Sequence, residues 1–429
     1  LRSTLSSRRI ADQLADERFS QWLQHGSGTN ALPMLLICST VLCFATLVLF
    51  VLNIVGLLPM WWILSLVVSA ALFLNTKKIR GDLYEDAYYL RDAFATLSNV
   101  FEYLERYPYG THQHLKKLCE PFFADKTRRP SRVLRQISRI ATASTLSQNT
   151  LLWILLNTLI PWDNYYALLL SRYRQILAAR LPVWLDTWFE LEALCSLATF
   201  AYLNPEYTLP DVLSNNEQAV DFSAQAIGHP LLDDEQKVTN DFRLQKMGEV
   251  VIITGSNMSG KSTFLRTVGI NLCLAYAGSA VNAQHLRTSL FRIFTCIKVS
   301  DSVTDGYSYF YAEVRRLKAL LEALRREGYP LFFLIDEIFK GTNNRERLIG
   351  SRSFVRALVG QHCLGCISTH DLELVSLEHV LPGVENYHFR EDVINSEMVF
   401  DYCLRTGPSP TTNALKIMQM EGLPVDEAL

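Results

Sequence analysis

The sequence has almost no net charge. Its 41 Lys and Arg stand against 43 Asp and Glu, a balance of −2 with pI near 6.6. A basic footprint over the whole chain is therefore missing, and nucleic-acid binding would need a local patch. Internal repeats and low-complexity tracts are also missing, and 49% hydrophobic with 20% charged residues excludes a disordered chain. A disulfide framework is lacking too. The nine cysteines are odd in number and scattered, and two of them, Cys38 and Cys43, lie inside an apolar run, which fits a reducing compartment. The single CxxC, Cys363 and Cys366, has no second pair nearby. Its place in an apolar, strand-like run reads as two small core residues rather than a metal site. The 429 residues are enough for two or three domains. The chain opens on Leu1, an opening expected of a fragment.

Charge is absent locally as well. Residues 34–55, MLLICSTVLCFATLVLFVLNIV, run 22 residues without one, about 33 Å as a helix and long enough to cross a hydrocarbon core. After Gly56 and Pro59, the run 60–74, MWWILSLVVSAALFL, is uncharged again. Trp61 and Trp62 stand where an interfacial aromatic belt would lie. Arg8, Arg9 and Arg18 precede the pair of runs, and Lys77, Lys78 and Arg80 follow it. Positive-inside logic then places both ends in the cytoplasm and makes 34–75 a transmembrane helical hairpin. The competing reading is a buried hairpin of a large soluble core. A cleaved signal peptide does not fit two successive runs closed by basic residues. A further apolar region, 151–170, is broken by Asn157, Pro161, Asp163 and Asn164. Its unbroken parts are too short to span, so it is expected to be core helix.

The remainder divides by pattern. Residues 76–226 read as helical, with apolar residues at helical spacing over 85–106 and again over 181–203; the second helix is long enough to act as a lever. Between them, 126–139 carries six basic residues in fourteen. This is either a solvated helix face or a contact for lipid or nucleic-acid phosphates. From residue 227 onward short apolar strands alternate with helices. EVVIITG, LFFLIDE and CLGCIST read as buried strands of an α/β sheet, and 384–405 as a hairpin.

Chemistry concentrates in ITGSNMSGKSTFLR, residues 253–266. Gly255 and Gly260-Lys261-Ser262 fit GxxxxGK[ST], with a strand expected at 249–254 and a helix opening near Ser262. Backbone amides and the helix N-terminus would face phosphate oxygens. Lys261 would reach the β- and γ-phosphates, and Ser262 would hold Mg²⁺. A phosphate loop needs an acidic partner at another strand end. LFFLIDE supplies Asp336 for the Mg²⁺ shell and Glu337 to orient or deprotonate the attacking water. STHD follows the next strand, where His370 either senses the γ-phosphate or polarises the attacking water, the competing reading being a structural histidine.

These segments make the resemblance specific. Residues 227–424 resemble the ATPase domain of the MutS family, DNA mismatch-repair ATPases with an ABC-like fold. The matching segments are GHP (228–230), TND (239–241), TGSNMSGKSTFLR, SYFYAE (308–313), LIDEIFKGT, STHDLEL and GPSPTTNALKIMQMEGLP, in family order. The resemblance implies an α/β P-loop ATPase domain at 227–429; ahead of it, hydropathy, charge and periodicity give an N-terminal cytoplasmic helical segment (1–33), the hairpin (34–75) and an all-α core or lever region (76–226). It implies ATP with Mg²⁺ as ligands, and contacts from Gly255, Ser256, Asn257, Met258, Ser259, Gly260, Lys261, Ser262 and Thr263. It also implies that Ser308 meets the γ-phosphate of the opposite subunit, hence a homodimer with composite sites closing on DNA.

Some positions depart from the family pattern. Tyr309 stands where Thr is usual, Lys340 replaces the common Arg, and Lys237 sits near the place of an adenine-stacking aromatic. Residues 77–225 leave no evident room for a mismatch-reading domain. Two functions follow: a membrane-tethered, ATP-driven clamp on DNA, or a membrane-associated regulator acting on a protein or lipid. A transporter is disfavoured, because two spans per chain give little room for a substrate path.

Overall fold

The computed structural model describes residues 22–23, 31–75, 84, 87–143, 150–213, 220–297, 309–339, 342–394 and 397–409. The flanking residues Arg8, Arg9, Arg18, Lys77, Lys78 and Arg80 lie outside the described residues, as do Ser308, Lys340 and 410–429. The chain divides into two compact units, 1–193 and 194–429. The second unit starts earlier than the expected boundary at 227. Strand β1 (Asp211–Val212) and strand β2 (Phe222–Ile227) already pair into a sheet there.

The first unit is helical. Helix α1 (Leu32–Ile54) and helix α2 (Trp61–Asn75) form the expected hairpin of two helices, joined across Gly56 with φ +79°. The hairpin is pinned by a Thr46–Ser65 hydroxyl bond of 2.7 Å and by Phe50 edge-on to Trp62. Helix α1 is apolar around its whole circumference, with a mean hydropathy of 2.8 in its most apolar stretch, of which only 6% is buried. A core helix would be covered, so the buried-hairpin reading does not hold for α1.

Helix α3 (Arg91–Arg106) and helix α4 (Pro130–Ala143) pack through Phe94, Leu97 and Phe101 on one side and Val133, Leu134 and Ile137 on the other. The first turn of α1 joins this core through Leu32 and Leu35. Helix α5 (Thr150–Leu159) is separated from helix α6 (Trp162–Leu203) at Ile160–Pro161. The expected core character of this region fails in part, because Ile154, Leu159 and Ile160 are about half exposed. Helix α6 also runs longer than the spacing predicts. It passes through Pro182, a residue that removes an intrahelical bond, because Leu177, Leu181 and Trp184 on either side are buried in one cluster.

The second unit is α/β. Strands β3 (Asn240–Leu244), β4 (Val250–Thr254), β5 (His285–Thr288), β6 (Arg292–Cys296), β7 (Leu331–Asp336), β8 (Cys363–Ser368), β9 (Val384–Ile394) and β10 (Glu397–Thr406) form two sheets with β1 and β2. One sheet has four strands in the order β1-β5-β2-β3. The other has six, ordered β10-β9-β4-β8-β7-β6, and is parallel except for the terminal β9–β10 hairpin.

Alternation decides which side chains go to which face. Val251 and Ile253 of β4 and Phe332 and Leu334 of β7 point to one core, with helix α7 (Lys261–Tyr276). Val250, Ile252, Phe333 and Ile335 point to the other, with helix α8 (Tyr309–Leu324) and helix α9 (Asn344–Leu358). With both faces covered, these strands are continuous apolar runs. Helix α8 ends at Leu324, with Glu313, Leu317 and Leu320 buried along it. Cys363 and Cys366, three apart on β8, fall on opposite faces in different cores. They cannot share a ligand, and burial pushes the Cys363 thiol up to about 12. The expected core reading of the CxxC stands on that burial.

Candidate functional site

The loop 255–260 leaves the C-terminal end of β4, at the centre of the six-stranded sheet, and enters α7 at Lys261. Its conformation needs its glycines. Gly255 has φ +147°, and a Cβ there would fall 2.7 Å from Ser259 Oγ and 2.9 Å from the Phe389 carbonyl. Gly260 has φ +106° as the N-cap of α7. Met258, at φ +66° and 82% exposed, forms the crest. A loop of this shape wrapping a helix N-terminus is a concavity for anions. Lys261 is buried in it, and its Nζ donates to the carbonyls of Gly255 (2.8 Å) and Ser256 (2.6 Å). Ser256 Oγ donates to Glu391 Oε2 of β9 at 2.9 Å.

Asp336 ends β7 and accepts a bond from Ser368 Oγ of the neighbouring β8, at 2.6 Å. Glu337 follows with φ +53°, and its backbone N donates to the carbonyl of Ser368 at 3.1 Å. Left-handed backbone at a non-glycine residue is strained and has to be held. Phe339, also left-handed at φ +60°, is held by its N–H bond to Glu313 of α8, a buried carboxylate within the SYFYAE segment. The His370 ring Nε2 lies 2.7 Å from Glu337 Oε1. The loop bearing His370 is fastened by a two-pronged Arg347–Asp371 pair at 2.7 and 2.8 Å.

One cleft of about 580 Å³ gathers this chemistry. It is lined by Asn257, Met258, Ser259, Gly260, Lys261, Ser262 and Thr263 from the loop and α7, and by Glu337 from the end of β7. Gly255, Ser256, Asp336 and His370 do not line it directly: the Gly255 and Ser256 carbonyls hold Lys261, Asp336 precedes Glu337, and His370 touches Glu337.

Two residues that the sequence reading did not single out border the same cleft. Tyr402 stands on a bulge of β10, where the pairing with β9 shifts register between Phe400 and Leu404, and has φ +53°. Asn240 of β3 clasps that bulge, donating to the Tyr402 carbonyl at 3.0 Å and accepting from Leu404 N at 2.6 Å. The Tyr402 ring thereby lies beside Gly260, with Cδ1 3.1 Å from where a Cβ would project. No sequence spacing signals this, because a bulge in a hairpin leaves no periodic trace. His229, within GHP, is the second. Its loop is tied down by the buried Asn271 of α7, whose side chain donates to the Gly228 carbonyl at 3.0 Å. Burial, and secondarily the Arg266 charge, pushes the His229 imidazole below its ordinary value. Its Nδ1 accepts from Leu231 N at 3.2 Å. Lys237 is ion-paired with Asp234 and lies over the Tyr207 ring.

The basic segment resolves into parts. Arg135 pairs with Glu102 of α3, whereas the exposed Arg128 and Arg132 border, with Arg172 of α6, a separate cleft of about 330 Å³ in the helical unit.

Residues 251–428 match a family model described as MutS domain V. The DNA mismatch repair protein MutS of Clostridium botulinum (strain Okra / Type B1) is 29% identical over 240 residues, covering 55% of this chain and 25% of that protein. The protein of the same description from Bacillus velezensis is 31% identical over 241 residues, covering 55% and 27%. That from Chlorobium chlorochromatii is 31% identical over 246 residues, with the same shares. The chain thus spans about a quarter of the length of the curated relatives it matches.

Proposed function

Because the chain belongs to the MutS family through the domain it carries at 251–428, we propose that this domain binds and hydrolyses ATP with Mg²⁺ as a homodimer. In this reading the α1–α2 hairpin tethers it to the cytoplasmic membrane, with the ATPase domain in the cytoplasm, and nucleotide-driven closure of the dimer grips DNA. The observation that supports this reading most directly is the single cleft holding both the phosphate loop and Glu337, with His370 bonded to that carboxylate.

The donors suit the ligand. The glycine-shaped loop and the N-terminus of α7 offer backbone amides to phosphate oxygens, and Lys261 adds a cation already buried in the loop. Ser262 and Asp336 are the oxygen donors that would hold Mg²⁺, which when bound neutralises phosphate charge. Glu337 then orients the attacking water and takes its proton. His370 fixes the direction of that carboxylate through the 2.7 Å bond. Tyr402 offers a ring face for the base. Ser308 of one subunit, by family resemblance, completes the site of the other.

Two substitutions separate binding from turnover. Lys261→Ala abolishes binding of a fluorescent ATP analogue, and retained affinity would refute the loop assignment. Glu337→Gln keeps binding while lowering turnover by about 10²–10⁴-fold; wild-type turnover would refute its role as base. A salt titration tests what is gripped. The exposed Arg128, Arg132 and Arg172 offer phosphate contacts, so DNA affinity should fall linearly with salt on a log–log plot. The alternative is a regulator of a protein or lipid partner, favoured by the uncovered apolar surface of α1. DNA affinity that is absent, or unchanged by salt, selects it.

A further inference from the structure

Helix α5 is uncharged, and it lies in an uncharged run that ends at Asp163. From 140 to 162, IATASTLSQNTLLWILLNTLIPW, no residue carries a charge. A helix of ten residues is too short to span a bilayer, and in a soluble core its apolar side chains would be covered. Among the described side chains, Ile154 and Leu159, with Ile160 just past the helix end, are not: they are 50%, 55% and 52% exposed.

Several polar atoms of the same segment are bonded within the protein, while Thr158 Oγ1 bonds to the Ile154 carbonyl at an exposed position and the buried Trp162 Nε1 has no hydrogen-bond partner among the described residues. Cys43 Sγ of α1 donates to the Asn157 carbonyl at 3.4 Å, and Asn164 of α6 donates to Ser39 Oγ of α1. The turn between α5 and α6 leaves few backbone donors open. Ile160 N bonds to the Leu156 carbonyl at 2.8 Å and Trp162 N to the Ile160 carbonyl at 2.6 Å. Pro161 has no N–H, and Asp163 N bonds to the Asn157 side chain at 3.1 Å. Surface turns leave such groups to water. A turn in hydrocarbon has to satisfy them internally.

The contacts also fix how deep the segment reaches along α1. Leu32 and Leu35 belong to the helical core while Met34 between them is 70% exposed, so Leu35, the last core residue of this turn, serves as the depth reference along α1. Cys43 lies eight residues further, about 12 Å along the axis, and Ser39 about 6 Å. The chain therefore goes in as far as Asn157 and has returned partway by Asn164, within one leaflet of a hydrocarbon layer about 30 Å thick. A cavity of about 490 Å³, lined mainly by apolar side chains of α1, α2 and α5, opens between this element and the hairpin.

We propose that α5 and its turn into α6, residues 150–162 and so ending short of Asp163, form a re-entrant element inserted into one leaflet beside the hairpin, with Ile154, Leu159 and Ile160 against lipid acyl chains. On the positive-inside orientation this is the cytoplasmic leaflet. The proposal rests on the membrane reading above and extends it from two elements to three.

Photo-crosslinking of the full chain in phosphatidylcholine vesicles tests it. Benzoylphenylalanine is placed singly at Ile154, Ile160, Val41 of α1, or the exposed Leu231 of the ATPase domain, and acyl-chain adducts are read by mass spectrometry. The expected result is one lipid added at Ile154, Ile160 and Val41 and none at Leu231. Adducts at Val41 but not at Ile154 or Ile160 overturn the re-entrant element and leave the tether standing. Absence at Val41 overturns both. Helical circular dichroism of each variant confirms that a missing adduct is not a missing fold.

Discussion

At position 402 a tyrosine is held in left-handed backbone by Asn240, with its ring beside Gly260. Such strain persists only where surrounding contacts over-determine it, and here the contacts place the Tyr402 side chain at the cleft beside the phosphate-type loop. Tyr402→Ala should weaken ATP affinity by about 1–3 kcal/mol, roughly 5- to 150-fold in Kd, with Phe restoring it; calorimetric titration checks this. His229 gives a pH test. Its folded value is depressed below the ordinary 6.5, first by burial and then by Arg266, so the unfolded chain binds the proton more readily. The stability tied to neutral His229 is therefore present above the unfolded value and is lost as pH falls below it toward the folded one. The Tm of the nucleotide-free protein should drop between pH 7 and pH 5.5, and His229→Gln, which cannot titrate, should flatten that drop.

Among the elements, β8 shows how tightly the sheet constrains the site. A Cβ at Gly365 would lie 2.0 Å from the Phe333 carbonyl of β7. No rotamer relieves a clash with backbone, so the two strands would have to part. Those strands end at Asp336 and Ser368, which bond to each other. Gly365→Ala should destabilise the fold by about 1–3 kcal/mol, seen as a lower urea midpoint, and should also impair ATP turnover by shifting Asp336 and Glu337. Unchanged turnover in the folded fraction would mean that strand spacing does not govern the acidic pair. Helix α6 teaches a related lesson. Pro182 lies inside the helix rather than near its start, and the helix is kept where the side chains on both sides of the proline are buried in one core.

For the whole molecule, the dimer is the testable quantity. If composite sites form between two chains, the Glu337→Gln protein with ATP should sediment as a dimer in detergent and return to monomer without nucleotide. Dilution should lower the specific activity of the wild type. A concentration-independent activity would leave each cleft complete within one chain. The 6% burial of α1's most apolar stretch further predicts that alkaline carbonate leaves the chain in the membrane pellet.

Local order and spacing made much of this legible. The hairpin helices, the phosphate loop, the buried strands and the acidic pair each follow from chemistry confined to a few neighbouring residues. Apolar runs define parallel strands, and GxxxxGK defines a loop that only glycines permit. The Tyr402 bulge, the Asn240 clasp, the His370–Glu337 bond and the depth at which α5 meets α1 were not legible. Each joins residues far apart in the chain, and such contacts are selected by packing and by the need to satisfy buried polar groups. Periodicity says which side of an element is apolar; only the folded chain determines whether protein or another medium covers it.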